Sequence, residues 1–86
     1  MMTEHEIFTG FAETLEEFSG IHADEVVPEA HLADDLDIDS LSLIEIVVSV
    51  QDKFGIEIPD NDLKYLKTVS DVVGYVQRAQ RSGVSV

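Results

Sequence analysis

The segment Asp34-Asp35-Leu36-Asp37-Ile38-Asp39-Ser40-Leu41 has the residue types for three kinds of chemistry. Its alternating carboxylates could hold a cation, Ser40 could act as a nucleophile, or Ser40 could be covalently modified. Asp35, Asp37 and Asp39 alternate like the start of an EF-hand loop, which also needs glycine at its sixth position and glutamate at its twelfth. Counted from Asp35, those positions hold Ser40 and Ile46. The closing bidentate ligand is missing, so no true metal site is expected. Charge density alone leaves weak, exchangeable cation binding open.

A nucleophilic serine needs a base and a third group to orient it. His5, His22 and His31 all precede Ser40 without forming a recognisable motif, and there is no Gly-x-Ser-x-Gly elbow. No catalytic residue is expected. Modification is the third reading, although a serine chosen only for its preference at helix starts would be favoured over it if the segment stood alone. Asp39 is a good N-cap, which puts Ser40 in the first turn of a helix with its hydroxyl exposed. A phosphate ester there meets the open N–H groups and the positive end of the helix dipole. The neighbouring aspartates oppose it, so another enzyme must drive the attachment.

The elements that position this segment are helical. Thr3 and Glu6 form a capping-box pattern, and Ile7, Phe11, Leu15 and Phe18 recur as a helical stripe. Gly20 stands where a C-terminal cap belongs, giving a first helix over 4–19. Residues 20–38 read as a long loop broken by Pro28. Ile21, Val26, Leu32, Leu36 and Ile38 punctuate it, which predicts that it is pinned to the core around a short helical turn. The second helix runs from Asp39 to Phe54 and stops at Gly55. Pro59 starts a short third helix with Leu63 and Leu66 as its buried residues. Thr68 with Asp71 starts a fourth, carrying Val69, Val72, Val73 and Val76 inward. Gly74 within it is expected to allow close packing, and the tail 82–86 to fray. No segment reads as a paired strand. The fold class is all-α, one domain over 1–86 with an ordered core over about 4–80. It is a four-helix bundle of three main helices and one short helix, with a long loop between helices one and two.

The second helix has more apolar surface than one core face needs. At about 100° per residue, Leu43, Val47, Val50 and Phe54 fall within roughly 60° of each other, with Ile46 at one edge. Leu41, Ile44 and Val48 occupy a separate sector about 100–160° away, bordered by Glu45 and Asp52. A surface helix ordinarily has one apolar stripe. The second is either a docking patch rimmed by acids or a face covered by the long loop.

Composition narrows the partners. Among 86 residues, 18 are acidic and five are Lys or Arg, a formal charge of −13. That balance opposes nucleic acid and anionic membranes, both of which call for basic side chains. It favours partners with basic surfaces. Residues 1–52 hold 14 acids and no Lys or Arg; all five bases, Lys53, Lys64, Lys67, Arg78 and Arg81, follow. Cysteine is absent, which excludes disulfides and thiolate sites and fits the cytoplasm. No signal peptide or membrane span is visible.

Asp39-Ser40-Leu41, preceded by Asp34-Asp35-Leu36, resembles the phosphopantetheine attachment site of acyl carrier proteins. The likeness continues through Glu45, Phe54 and Ile58-Pro59-Asp60 to Thr68-Val69 and Tyr75-Val76. Gln51-Asp52-Lys53-Phe54-Gly55 is similar to the discrete carriers of actinobacterial type II fatty-acid synthesis. Those include the meromycolate-type carriers of mycobacteria, whose long C-terminal extension has no counterpart in this sequence. The resemblance implies that Ser40 carries 4′-phosphopantetheine from coenzyme A, installed by a phosphopantetheinyl transferase, and that its thiol holds acyl chains as thioesters. It implies that Asp39, Leu41, Ile44, Glu45, Val48 and Asp60 meet partner enzymes. Those are the ketoacyl synthase, malonyl transferase, reductases and dehydratase of fatty-acid synthesis. It implies that Leu32, Val50, Ile58, Leu63, Leu66 and Val72 line the space for the acyl chain, and that the protein is a monomeric carrier rather than an enzyme. Many such carriers have three acids where Gln51, Asp52 and Lys53 stand, so Lys53 interrupts the acidic footprint. The alternatives are a polyketide or other specialised carrier, or an acidic cation-binding or interaction module with no prosthetic group. Asp39 disfavours peptidyl carriers, which usually have glycine before the serine.

Overall fold

A capping box starts the first helix. The Thr3 hydroxyl accepts the Glu6 N–H at 3.1 Å, and the Glu6 carboxylate accepts the Thr3 N–H at 2.8 Å. Two of the donors that a helix start leaves open are thereby satisfied. In the computed structural model, which describes residues 2–81, this helix, α1, spans Glu4–Ser19 and ends at Gly20 with φ 67°. α2 spans Ser40–Phe54 and ends at Gly55 with φ 66°. α3 spans Val69–Arg81. Both terminal glycines adopt the left-handed conformation that closes a helix at little steric cost. The frayed tail expected over 82–86 lies outside the described residues.

The long loop is hung from the start of α3. Leu32 N–H donates to Lys67 O at 2.9 Å, Val69 N–H to Ala30 O at 3.0 Å and Ser70 N–H to Pro28 O at 2.9 Å. An isolated antiparallel bridge joins His31 to Thr68, the one strand-like pairing among the described residues. Between these ties Ile21, Val26, Ala30, Leu32, Leu36 and Ile38 are all buried in one core with Ile7, Phe11, Leu15, Val50 and Val76. The expected helical turn in the loop is a 3-10 turn at Ala23–Glu25.

The short helix near Pro59 forms as a 3-10 segment, Asp60–Tyr65, with no buried residue. Leu66 just beyond it is buried, whereas Leu63, expected to be buried, is only half so. A segment reading Asp-Asn-Asp-Leu-Lys-Tyr has no apolar stripe to sink into the core. Two side chains tether its surroundings instead. Ile58 N–H donates to Gln51 Oε1 at 2.7 Å, and the Tyr75 hydroxyl donates to Asp62 Oδ2 at 2.6 Å. Burial, then that bond to Asp62, pushes the Tyr75 phenol up to about 12.

Two expectations about packing are corrected. Phe18 is 45% exposed, and every residue from Glu16 to Gly20 is exposed with it, so the last turn of α1 stands outside the core. Gly74 does not serve close packing: a Cβ there would meet only the Arg78 Nη1 at 3.3 Å. Gly10 is the crowded glycine, where a Cβ would lie 2.9 Å from the Phe54 ring. The bare backbone of α1 at Gly10 receives the Phe54 side chain of α2, and Lys53 Nζ donates to Gly10 O at 3.2 Å across that contact.

The two glycines should therefore respond oppositely to alanine. Gly74→Ala should raise the urea midpoint by the equivalent of about 0.5–1 kcal/mol, the ordinary helical gain. Gly10→Ala should lower it by about 1 kcal/mol, because overpacking outweighs that gain. For Tyr75 the sign follows from its raised value. The folded state holds the phenolic proton more tightly than the unfolded chain, whose tyrosine titrates near 10. The stability it contributes is full below about pH 10 and is lost as pH rises toward 12. The stability difference between wild type and Tyr75→Phe should shrink across that window. A constant difference would contradict the tether.

Candidate functional site

The functional segment is built from the loop inward. Ile38 N–H turns back to Leu32 O at 2.9 Å, and between them Asp37 sits at φ 60°. Aspartate is one of the few non-glycine residues that enters the left-handed region readily. This turn delivers Asp39 to the head of α2, where its carboxylate accepts the Ser42 N–H at 2.8 Å. That backbone bond, helped by the Ser42 hydroxyl and the Leu41 N–H, holds the Asp39 carboxyl below the usual carboxylate range. The cap is therefore ionised wherever the protein is folded at ordinary pH.

Ser40 is the first residue of α2, as its sequence position required. It is exposed, and among the described residues its hydroxyl has no hydrogen-bond partner. The oxygen is free to form a bond. Beside it opens a largely apolar cavity of about 320 Å³, lined by Leu32, Ile38, Leu43 and Leu66, with Ser40 and Lys67 among its polar lining. An exposed, unpartnered hydroxyl with an apolar recess next to it fits a phosphodiester-linked arm carrying an acyl group. Among the described residues no three His, Asp or Glu side chains converge as a metal site.

The remaining expected residues fall into two sets. Leu41, Ile44 and Val48 are 75%, 51% and 54% exposed, so the long loop does not cover that sector of α2. Glu45 is exposed on the same helix, and Asp39 is exposed at its N-cap. Asp60 is exposed too, at the start of the 3-10 segment rather than on α2. Of the six residues assigned to the acyl chain, Leu32 and Leu66 line the cavity. Val50, Ile58 and Val72 are buried and Leu63 packs partly; they belong to the same core but do not line the cavity. Leu43 and Ile38 do line it and escaped the sequence reading. Leu43, placed on the core face of α2, is half-buried for that reason.

The two departures at the end of α2 are structural. Gln51 caps the connection at Ile58, and Lys53 reaches α1, pairing with Glu13 at 3.2 Å as well as with Gly10. Sequence alone offered no signal for either partner.

This is a helical bundle that presents an exposed, unpartnered serine hydroxyl at a helix start and an acid-rimmed apolar helix face, the build of a carrier domain. The comparisons agree with that class. Residues 10–76 match the family model for the phosphopantetheine attachment site. The chain is 58% identical over 88% of its length to an acyl carrier protein of Thermobifida fusca, covering 96% of that protein. It is 54% identical over 91% of its length to a meromycolate extension acyl carrier protein of Mycolicibacterium smegmatis, covering 79% of that protein. It is 49% identical over 91% of its length to an acyl carrier protein of Acidothermus cellulolyticus, covering 93% of that protein. The chain belongs to the acyl carrier protein family, whose cofactor is 4′-phosphopantetheine.

The turn before Ser40 makes a sharp test of this local architecture. Asp37→Val should cost about 1–2 kcal/mol, because a β-branched side chain resists the left-handed region. Asp37→Gly should be at least as stable as wild type. Equal urea midpoints for valine and glycine would show that the turn is not held at positive φ.

Proposed function

We propose that Ser40 is the attachment point of the phosphopantetheine arm and that the chain carries acyl groups through fatty-acid synthesis. The observation that supports this most is the exposed, unpartnered Ser40 hydroxyl at the head of α2, at the rim of an apolar cavity and inside the matched region. In the loading step a bond forms between Ser40 Oγ and the phosphorus of coenzyme A. The pyrophosphate bond of coenzyme A breaks, the adenosine bisphosphate leaves, and a phosphopantetheinyl transferase takes the hydroxyl proton. When bound, the arm supplies a thiol that holds acyl chains as thioesters.

The chain's own residues do the rest. Asp39 fixes the first turn of α2, so Ser40 is presented at a constant angle. Leu32 and Leu66, with Ile38 and Leu43, offer the acyl chain an apolar recess, and Val50, Ile58, Leu63 and Val72 belong to the core into which a longer chain would have to open a path. Leu41, Ile44 and Val48 form the apolar centre of a docking face, with Asp39, Glu45 and Asp60 as its acidic rim. Charge at a rim acts mainly on the association rate. A carrier that visits several enzymes in turn needs that speed and easy release more than tight binding. The partners in this reading are the transferase, ketoacyl synthase, malonyl transferase, reductases and dehydratase. They meet the chain in the cytoplasm as a monomer. No described helix is long and apolar enough to cross a membrane.

Incubation with coenzyme A and a phosphopantetheinyl transferase should add the mass of one arm, and Ser40→Ala should abolish the addition with its helical circular dichroism unchanged. Glu45→Lys should load normally but slow acyl transfer to a partner enzyme on the order of tenfold at low salt. An unloaded wild type would overturn the attachment, and unchanged transfer would remove Glu45 from the docking face.

A further inference from the structure

The arm would bring a phosphodiester charge into the most acidic part of the chain. Asp34 and Asp39 line the cavity at Ser40, and Asp35 and Asp37 flank them in the same loop. No Lys or Arg occurs in residues 1–52 to offset that charge. The fold supplies one from elsewhere. The bond from Leu32 N–H to Lys67 O, and the bridge from His31 to Thr68, lay the approach to α3 alongside the loop. Lys67 becomes the only Lys or Arg lining the cavity that Ser40 also lines.

Its backbone is fully engaged and its charge is not. Lys67 N–H donates to Asp71 Oδ2 at 3.0 Å, and Lys67 O takes the Leu32 N–H. The residue is exposed, and among the described residues its ammonium has no ion-pair partner. The other candidate base at the cavity, His31, is already set against Asp35, with Nδ1 at 3.5 Å from Oδ2. Lys53 is committed to Glu13 and Gly10 on the far contact. Asp39, the nearest acid to Ser40 in sequence, spends its carboxylate on the helix cap.

We propose that the Lys67 ammonium pairs with the phosphodiester of the arm on Ser40, so that the arm leaves the protein across the mouth of the cavity both residues line. This rests on the assignment of Ser40 as the attachment point. A charge-assisted contact of this kind gives the flexible arm a preferred departure toward the apolar recess, and away from the exposed face of α2. Lys67 is a positioning residue in this role; it takes no part in the acyl chemistry.

The test uses loaded protein: wild type, Lys67→Ala, Lys67→Glu and Lys67→Arg, each checked by intact mass. The substitutions keep the backbone bonds of residue 67, so the bundle is retained. In phosphorus NMR at low salt, the resonance of the arm should move in the alanine and glutamate variants and return toward the wild-type position in the arginine variant. The differences should collapse near 1 M salt, where screening acts within about 3 Å. In wild type, the Lys67 side-chain carbon next to nitrogen should shift between the unloaded and loaded forms. One phosphorus position shared by wild type and all three variants, with no Lys67 shift on loading, overturns the pairing. Failure of every variant to gain the arm overturns the attachment at Ser40 itself, and that outcome is read from the mass alone.

Discussion

The pinning of the long loop onto the start of α3 is the constraint from which the rest of this structure follows. Three backbone bonds, from Leu32 to Lys67, Val69 to Ala30 and Ser70 to Pro28, fix a segment with almost no regular structure of its own. Buried backbone groups must find partners, and here they find them across a large sequence separation. Once the loop is fixed, the left-handed turn at Asp37 and the cap at Asp39 determine where α2 begins. That start places Ser40 in the open and Leu43 over the cavity. A loop free to slide would leave the same helix with its serine at no defined place.

The second organising feature is the economy of positive charge. The proposed docking face has an acidic border, and this chain has few bases with which to disturb it. Lys53 is drawn back against α1 by Glu13 and Gly10. His31 sits against Asp35. The exposed sector formed by Leu41, Ile44 and Val48 thus keeps an acidic border on α2 despite the lysine in its last turn. In the proposed docking, the apolar centre sets register while the acids attract a basic partner over longer range. In the proposed carrier role, the weakness of each exposed charge favours release as ready as arrival.

Much of this was legible in the residues. The starts of all three α-helices and the ends of the first two follow from local signals, Thr3 with Glu6, Asp39, Thr68 with Asp71, and the two terminal glycines, because caps act within one turn. The two faces of α2 followed from its periodicity alone. What the sequence did not show depends on distant neighbours. The stripe through Phe18 gave a face but not how far α2 and α3 reach along it. Gly10 and Gly74 look alike in sequence, and only the approach of Phe54 separates them. The cavity is a compromise between loop, α2 and the residues before α3, so its lining by Leu43, Ile38 and Lys67 could not be read from any one segment. The resemblance located Ser40; the geometry explains why that hydroxyl is available.

The central claim is that one hydroxyl, at a helix start fixed by the pinned loop, carries the prosthetic arm. Fragmentation mass spectrometry of the protein purified from its native cells tests it most directly, because the chain offers other serines at 19, 42, 49, 70, 82 and 85. The account predicts the arm's mass on the fragment that contains Ser40, and on Ser40 within it. An arm on any other serine, or none on the native protein, would contradict it.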